Sequence, residues 1–225
     1  MHTIHRIFSK TWGFVLPALI CFIAGGIYLV LHEKGSEVLW LNARSSPAAD
    51  RFFLLVTDLG LGSVLSVLAI FLVLYRYRWA LLALIGLGWV GILTFLTKKV
   101  IFTEHVRPMH HFYYADFTRF IHEAPLIYFQ SFPSGHTMAI FAFCFLMAYI
   151  SGRTVFGLLF FLTALLVGIS RIYLLQHFGD DVMAGAFLGI LSGTLSIFLV
   201  DGWLVRYLKT VHDRGLFHLL AVKEK

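Results

Sequence analysis

The chain has 225 residues, of which 59% are hydrophobic and 13% are charged, and its formal net charge is +6 at pH 7. Soluble domains carry about 25% charged residues, so this composition argues against an ordinary soluble protein and indicates an integral membrane protein. The Lys and Arg residues lie between apolar segments and form no continuous basic stripe, so they indicate membrane topology and we expect no nucleic-acid partner.

Six apolar segments are each close to the length of about 20 residues that a membrane-crossing helix needs. They lie at residues 13–31, 59–76, 79–97, 134–151, 155–173 and 182–203. The first has no small-residue cleavage site after a short apolar core, so we expect a retained helix and not a signal peptide. The sequence therefore predicts an all-α integral membrane protein with six transmembrane helices, in a single domain over residues 1–225.

The connections between these segments differ in length. Residues 77–78 and 152–154 are short enough for tight turns, whereas residues 32–58 and 98–133 are predicted to be long loops. In the last segment, Gly185, Gly189 and Gly193 recur every four residues, so they lie on one face of a helix. Small residues at this spacing let a second helix approach closely, and we expect a packing role for them.

The distribution of basic residues predicts the orientation. If the N-terminus lies inside, the inner segments carry ten Lys and Arg residues: Arg6, Lys10, Arg76, Arg78, Arg153, Arg206, Lys209, Arg214, Lys223 and Lys225. The outer segments carry eight: Lys34, Arg44, Arg51, Lys98, Lys99, Arg107, Arg119 and Arg171. Three of the eight belong to polar motifs, so the background comparison is ten against five, and the positive-inside rule places both termini in the cytoplasm.

With six spans in this orientation, three polar clusters emerge on the same, outer side of the membrane. The clusters are Lys99 with Arg107, Ser134 with His136, and Arg171 with His177 and Asp181. We therefore predict that they converge on one site at the outer membrane interface, with the long loop 98–133 also outside. Asp58, at the outer start of the second span, is expected either to line that site or to be solvated at the interface.

The residues themselves indicate phosphate chemistry. His177 and Asp181 are one helical turn apart, so the carboxylate can reach one imidazole nitrogen and leave the other free as a nucleophile or base. Arg171 offers a planar cation for phosphate oxygens.

These residues resemble the three signature motifs of the type 2 phosphatidic acid phosphatases. The motifs are Lys99…Arg107-Pro108, Pro133-Ser134-Gly135-His136, and Ser170-Arg171-x5-His177-x3-Asp181. The family also includes bacterial undecaprenyl-diphosphate and phosphatidylglycerophosphate phosphatases, lipid A phosphatases and glucose-6-phosphatase. The second and third motifs match the family pattern completely, and the six-span arrangement extends the resemblance over most of the chain.

The first motif departs from the family pattern. The family has six residues between Lys and Arg-Pro, but seven separate Lys99 from Arg107, and Val100 occupies the expected position. On a helix this offset turns the lysine by about 100°. A one-residue bulge after the third span would restore Lys99 as a phosphate ligand, and Lys98 competes for the same role.

The resemblance implies a role for each motif residue. His177 is expected to attack phosphorus and form a phosphohistidine, while Asp181 fixes its tautomer. His136 is expected to protonate the leaving oxygen and then to activate water. The phosphate oxygens would be held by side chains and by a helix N-terminus: Lys99, Arg107, Arg171, Ser134 and Gly135.

Metal and cofactor sites are not expected. The loop histidines His105, His110, His111 and His122 could suggest a metal cluster, but they lack a helical His-x3-His pair or a Glu at ligand spacing. Asp180 is interpreted as a solvated or capping residue, because its spacing from His177 departs from the family pattern.

The predicted function is metal-independent hydrolysis of a phosphomonoester or diphosphate of a membrane lipid, in a bacterial inner membrane with the active site outside. Undecaprenyl diphosphate is the first expected substrate, and phosphatidylglycerophosphate and lipid A phosphates are alternatives. A lipid phosphotransferase would use the same residues. A transporter would instead need polar residues along its spans, whereas here they gather at one end. The partners expected are the lipid phosphate and the bilayer, and no oligomeric state is predicted.

Overall fold

A computed structural model describes residues 2–112 and 127–204 of the chain, and all the regular structure in these ranges is helical. The helices are α1 (His2–Leu31), α2 (Ser36–Asn42), α3 (Pro47–Asp58), α4 (Gly62–Tyr75), α5 (Tyr77–Phe95), α6 (Pro108–His111), α7 (Gly135–Ser151), α8 (Thr154–Tyr173) and α9 (Gly179–Leu199). Two π-helical segments, Leu96–Ile101 and Val200–Leu204, continue α5 and α9. Arg119, His122 and the predicted inner basic residues from Arg206 onward lie outside the described residues.

Four helical stretches are long and apolar enough to cross a membrane: Thr3–Leu31, Tyr77–Ile101, Thr154–Tyr173 and Gly179–Leu204. The α3–α4 pair passes the same test as one span, bent by 50° at the break between the two helices. The expectation of an all-α membrane protein is therefore confirmed, with four or five candidate spans. The shorter apolar helix α7, with 17 residues, enters the topology proposed below.

The prediction of a long loop over residues 32–58 is wrong, because this stretch contains α2 and α3. The start of α3 has a local signal: Ser46 accepts a hydrogen bond from the backbone N–H of Ala49 at 3.2 Å, and Pro47 occupies the first turn. Both residue types favour a helix N-terminus. The second predicted span, 59–76, accordingly corresponds to α4 preceded by the bend.

Helix α7 is the centre of the bundle and packs against α1, α4, α5, α8 and α9. Most of its residues are buried on all sides, which explains why its sequence is apolar all round. Phe14 of α1 lies in edge-to-face contact with Phe141, Phe145 and Phe161, with ring centroids 5.7–5.9 Å apart. This aromatic cluster joins α1, α7 and α8.

The glycines of α9 bring this helix unusually close to α7, as the sequence predicts. A Cβ atom at Gly185 would lie 2.5 Å from the Ser134 carbonyl oxygen, and one at Gly189 would lie 2.5 Å from that of Met138. A Cβ at Gly193 would meet the Phe145 ring at 2.7 Å. All three glycines therefore face α7, and only residues without a side chain fit there.

An ion pair joins the start of α5 to the π-helical segment that follows α9. Arg78, at the start of α5, donates to both carboxylate oxygens of Asp201, with an Nε–Oδ1 distance of 2.7 Å. Tyr149 of α7 donates to the same carboxylate at 2.7 Å. The Asp201 side chain is only 6% exposed, so these bonds satisfy a carboxylate that would otherwise be buried without a partner.

We expect Gly189→Ala to destabilise the protein, because its new methyl group would overlap backbone and side-chain atoms of α7. Overpacking of this kind costs about 1–3 kcal/mol, and thermal unfolding in detergent would show it as a lower melting temperature. Gly88→Ala is the matched control, since nothing lies within 4 Å of a Cβ at Gly88. Equal melting temperatures for the two variants would contradict the close α7–α9 contact.

Candidate active site

Residues from each of the three predicted polar clusters line one cavity of about 650 Å³, where α5 and α8 end and α7 begins, although Lys99, Ser134 and Asp181 are not among them. Its polar lining residues are Thr57, Asp58, Thr94, Lys98, Arg107, His136, Arg171, Gln176 and His177. Its apolar lining residues are Leu54, Leu55, Leu61, Ile127 and Leu174. Asp58 thus takes the first of the two roles expected for it. A cavity lined by both cations and leucines suits an anion attached to an apolar chain.

His177 and Asp181 are both 1% exposed, and they lie as close as the sequence spacing predicts. The distance from His177 Nδ1 to Asp181 Oδ2 is 3.4 Å. Burial, followed by the nearby Arg107, Lys98 and Arg171 cations, lowers the pKa of His177 well below its ordinary value. The imidazole is therefore neutral near pH 7, and a nitrogen lone pair is available for attack or proton transfer.

The backbone fixes His177 relative to Arg171. The Arg171 carbonyl accepts hydrogen bonds from the N–H groups of Gln176 at 3.0 Å and His177 at 3.2 Å. Leu175 closes this loop with a φ of 57°, in the left-handed region. The bonds and the tight turn hold the end of α8 against the start of α9, so the Arg171 and His177 side chains share one cavity.

Arg107 is held by neutral oxygen atoms. Its Nη1 donates to the main-chain oxygen of Gln176 at 3.2 Å and to the Gln176 side-chain oxygen at 3.0 Å, and its Nε donates to the Phe129 carbonyl at 3.0 Å. Burial lowers the pKa of Arg107, and the Asp181 carboxylate partly opposes this shift. A guanidinium remains charged under such conditions, so Arg107 brings a fixed positive charge to the cavity.

Arg171 is 5% exposed and, like Arg107, is held by a neutral partner. Its Nη1 donates to the Thr57 hydroxyl at 2.6 Å, and its buried Nε has no hydrogen-bond partner within the described residues. Thr57 lies at the end of α3, just before the bend, so the bent α3–α4 pair positions this arginine.

The structure places Lys98, and not Lys99, in the cavity lining. A π-helical segment, Leu96–Ile101, lies where a one-residue bulge would be needed to restore Lys99, and it is closed by a 2.7 Å bond from Phe102 N–H to the Thr97 carbonyl. A π-helical turn accommodates one extra residue. It leaves the Lys98 ammonium bonded to the Gln130 carbonyl at 2.8 Å.

The Pro-Ser-Gly-His segment starts α7. The Ser134 hydroxyl caps the helix by accepting bonds from the Thr137 hydroxyl at 2.9 Å and the Thr137 N–H at 3.4 Å. Its buried side chain does not reach the cavity lining, whereas Gly135 and His136 do. The Ser134 N–H donates to the Asp181 carbonyl at 3.0 Å, which joins the first turns of α7 and α9.

Sequence reasoning missed Thr57, Gln176 and Ser131. Ser131 donates a short hydrogen bond to Asp181, and Thr57 and Gln176 hold the two arginines. Gln176 directly precedes His177, so its position next to a predicted catalytic residue could have identified it. Thr57 and Ser131 carry no comparable signal, because their partners are more than 40 residues away in sequence.

The loop histidines have separate surroundings. His105 lies edge-to-face with Phe102 and tilted against Phe132, and His110 lies beside Phe129 at 5.2 Å between ring centroids. Within residues 2–112 and 127–204, no group of three or more His, Cys, Asp or Glu residues is arranged to hold a metal ion. Asp180 pairs with Lys34 at 3.3 Å on the protein surface, apart from the cavity lining.

Residues 79–203 match the PAP2 superfamily. Phosphatidylglycerophosphatase B of Bacillus subtilis (strain 168) is 33% identical to this chain over 162 residues, covering 66% of this chain and 71% of that protein. The bacitracin transport permease protein BcrC of Bacillus licheniformis is 38% identical over 96 residues, or 43% of this chain and 41% of its own length.

Two solved structures share the fold. Aquifex aeolicus LpxE superposes with a TM-score of 0.60 and 28% identity, covering 71% of this chain and 92% of its own. A PAP2-type phosphatidylglycerolphosphate phosphatase from Bacillus subtilis superposes with a TM-score of 0.53 and 26% identity, covering 88% of this chain and 97% of its own.

The position of Lys98 leads to a test with orthovanadate, an oxyanion shaped like phosphate. Lys98→Ala should weaken vanadate binding at least about tenfold, since a hydrogen bond to a charged group contributes about 1.5–3 kcal/mol. Lys99→Ala is the matched control and should change binding by less than about twofold. Vanadate-induced shifts of the melting temperature measure both effects. A larger effect of Lys99→Ala than of Lys98→Ala would contradict the position of Lys98 in the site.

Proposed function

The chain belongs to the PAP2 superfamily and is a membrane lipid phosphatase, and we propose that it hydrolyses a lipid phosphomonoester or diphosphate through a phosphohistidine intermediate. One observation carries the proposal. Lys98, Arg107 and Arg171 face a single cavity, and none of them forms an ion pair in the part of the chain that the structure describes. Three such cations make a strong site for the oxygens of a phosphoryl group.

In the first step, His177 acts as the nucleophile. Its Nδ1–H points to Asp181, so Nε2 carries the lone pair that attacks phosphorus. A P–N bond forms as the P–O bond to the leaving group breaks, which is a lipid alcohol for a monoester and a lipid monophosphate for a diphosphate, and His136 donates a proton to the leaving oxygen. The three cations, together with the backbone N–H groups at Gly135, stabilise the charge that builds up on the phosphoryl oxygens.

In the second step, water replaces the histidine. His136, now neutral, accepts a proton from a water molecule as its oxygen bonds to phosphorus and the P–N bond breaks. Inorganic phosphate and free His177 result. If a lipid hydroxyl entered in place of water, the same residues would catalyse phosphate transfer, so the products with and without an acceptor lipid separate the two reactions.

The substrate class follows from both linings of the cavity. The cations bind the phosphate, and the leucines Leu54, Leu55 and Leu61 can contact the lipid part of the molecule. Undecaprenyl diphosphate is our first substrate, on the expectation drawn from bacterial members of the family. Phosphatidylglycerophosphate is the second candidate, favoured by the 33% identity to phosphatidylglycerophosphatase B.

We propose six spans, in which α7 and the bent α3–α4 pair join the four long helices. Helix α7 would measure about 25 Å at 1.5 Å per residue, slightly less than the hydrocarbon core of about 30 Å. Its neighbouring helices enclose most of it, so few of its side chains contact lipid. The positive-inside rule then puts the cavity at the outer face of a bacterial inner membrane.

The decisive experiment is phosphate release by the purified protein in detergent, against undecaprenyl diphosphate, phosphatidylglycerophosphate and a lipid A phosphate. We expect release that persists in excess EDTA and is inhibited by vanadate. His177→Ala should abolish it, and Asp181→Asn should lower kcat on the order of 10³-fold or more, because the carboxylate orients the nucleophile but makes no bond to phosphorus.

Several results would contradict this mechanism. Wild-type release by folded His177→Ala protein would remove the proposed nucleophile. Loss of activity in EDTA that zinc or magnesium restores would indicate a metal-dependent reaction. Absence of release from every lipid phosphate of the panel would refute the proposed substrate class.

The orientation has its own test, with single cysteines on a background of Cys21→Ala and Cys144→Ala. Thr103 is exposed beside the cavity end of α5, and Thr154 is exposed at the other end of the bundle. An impermeant thiol reagent applied to intact spheroplasts should label Thr103→Cys and leave Thr154→Cys unlabelled. The reverse pattern would put the catalytic cavity in the cytoplasm while leaving the chemistry unchanged.

A further inference from the structure

Ser131 lies two residues before Pro133 and forms a hydrogen bond to Asp181 of the His177–Asp181 pair. It is 1% exposed, its hydroxyl donates a short hydrogen bond to Asp181 Oδ2, and its Oγ lies 3.5 Å from His177 Nδ1. We propose that Ser131 is a positioning residue that holds the Asp181 carboxylate against His177. The inference rests on the proposed function and extends the His177–Asp181 pair to a third member.

The bonding of Asp181 shows why a third member is needed. One oxygen, Oδ2, receives the Ser131 hydroxyl, the Phe178 N–H at 2.9 Å and the His177 imidazole at 3.4 Å. The Phe178 bond comes from the first turn of the same helix. Among the described residues, Ser131 alone reaches this oxygen from a separate segment of chain, so it fixes the rotation of the carboxylate and directs Oδ2 toward Nδ1.

The hydroxyl acts on a charge that changes during the reaction. As Nε2 bonds to phosphorus, positive charge develops on the imidazole, and the Nδ1–H bond to the carboxylate strengthens. A buried carboxylate needs such donors, because burial has removed its hydrogen bonds to water. Ser131 keeps its own proton throughout, so no covalent or proton-transfer step is assigned to it.

Ser131 does not itself react with substrate. It is absent from the residues that line the cavity, and its hydroxyl faces the two catalytic side chains. A direct attack on phosphorus would need Ser131 to leave Asp181 and cross the position of His177. The geometry therefore fits a role that acts through Asp181.

The main chain at Ser131 is held independently of its hydroxyl. The Ser131 N–H donates to the His105 carbonyl at 2.9 Å, and the preceding residue, Gln130, accepts from Lys98 at 2.8 Å. Two neighbouring residues thus connect the Lys98 cation to the Asp181 carboxylate. Because these backbone contacts remain when the hydroxyl is removed, the side chain can be tested separately from the fold of the segment.

We expect Ser131→Ala to lower kcat about 10- to 100-fold, the effect of losing a hydrogen bond to a charged group, with KM and vanadate affinity nearly unchanged. Ser131→Cys, whose thiol is a weak donor, should show a similar split. Ser192→Ala is the matched control, because Ser192 is a fully buried serine of α9 that donates to the Leu188 carbonyl of its own helix. Its kcat should equal that of the wild type.

A double-mutant cycle shows whether the effect passes through Asp181. In an Asp181→Asn background, Ser131→Ala should lower kcat by less than a further factor of about two, since the carboxylate that it positions is gone. A full, additive loss in that background would overturn the proposal, and so would wild-type kcat in Ser131→Ala or in Ser131→Cys. If Ser131→Ala does not fold, the cysteine variant decides.

The outcome is separable from that of the proposed function. Wild-type kcat in the Ser131 variants, with no turnover in His177→Ala, refutes the role of Ser131 and leaves the phosphatase mechanism intact. Turnover in folded His177→Ala refutes the mechanism itself, and with it the positioning role.

Discussion

The site depends on one constraint, which is that three cations face a single cavity without forming an ion pair to a carboxylate among the described residues. Lys98, Arg107 and Arg171 are bonded to carbonyl, amide and hydroxyl oxygens within the described residues, and not to carboxylates. Like charges at close range repel each other most strongly in a medium of low dielectric constant. Neutral partners hold the cations in place and leave the favourable electrostatic interaction to a phosphate.

The buried acidic side chain beside the cations, Asp181, is engaged in hydrogen bonds of its own. Asp181 Oδ2 is occupied by Ser131, Phe178 and His177, so the carboxylate serves the histidine. The same contacts hold a neutral imidazole among three cations, which burial and the positive charges both favour. The nucleophile and the phosphate cradle therefore require the same surroundings.

Close packing of α7 against α9 brings the groups of the site together. Gly185 lets the Ser134 carbonyl approach α9 to a distance that a Cβ atom would forbid, and the Ser134 N–H bonds to the Asp181 carbonyl at 3.0 Å. The first turns of α7 and α9 are therefore adjacent, and His136 and His177 line the same cavity. A larger residue in this glycine row would separate the proton donor from the nucleophile as well as the two helices.

The sequence alone determined the membrane class, five of the apolar helices nearly to their ends, the close-packing glycines and the meeting of the motifs, because these depend on apolar length and on spacing along one helix. The four-residue spacing alone brings Asp181 close to His177 where the chain turns into a helix, as it does at the start of α9. The tertiary structure decided what depends on distant segments: α2 and α3 within a supposed loop, Thr57 and Ser131 as partners of Arg171 and Asp181, and Lys98 in the cavity lining. In the last case the sequence favoured Lys99, restored by a bulge, over its competitor Lys98, whereas in the structure Lys98 lines the cavity and bonds to the Gln130 carbonyl, a contact 32 residues away that spacing along one helix does not reveal.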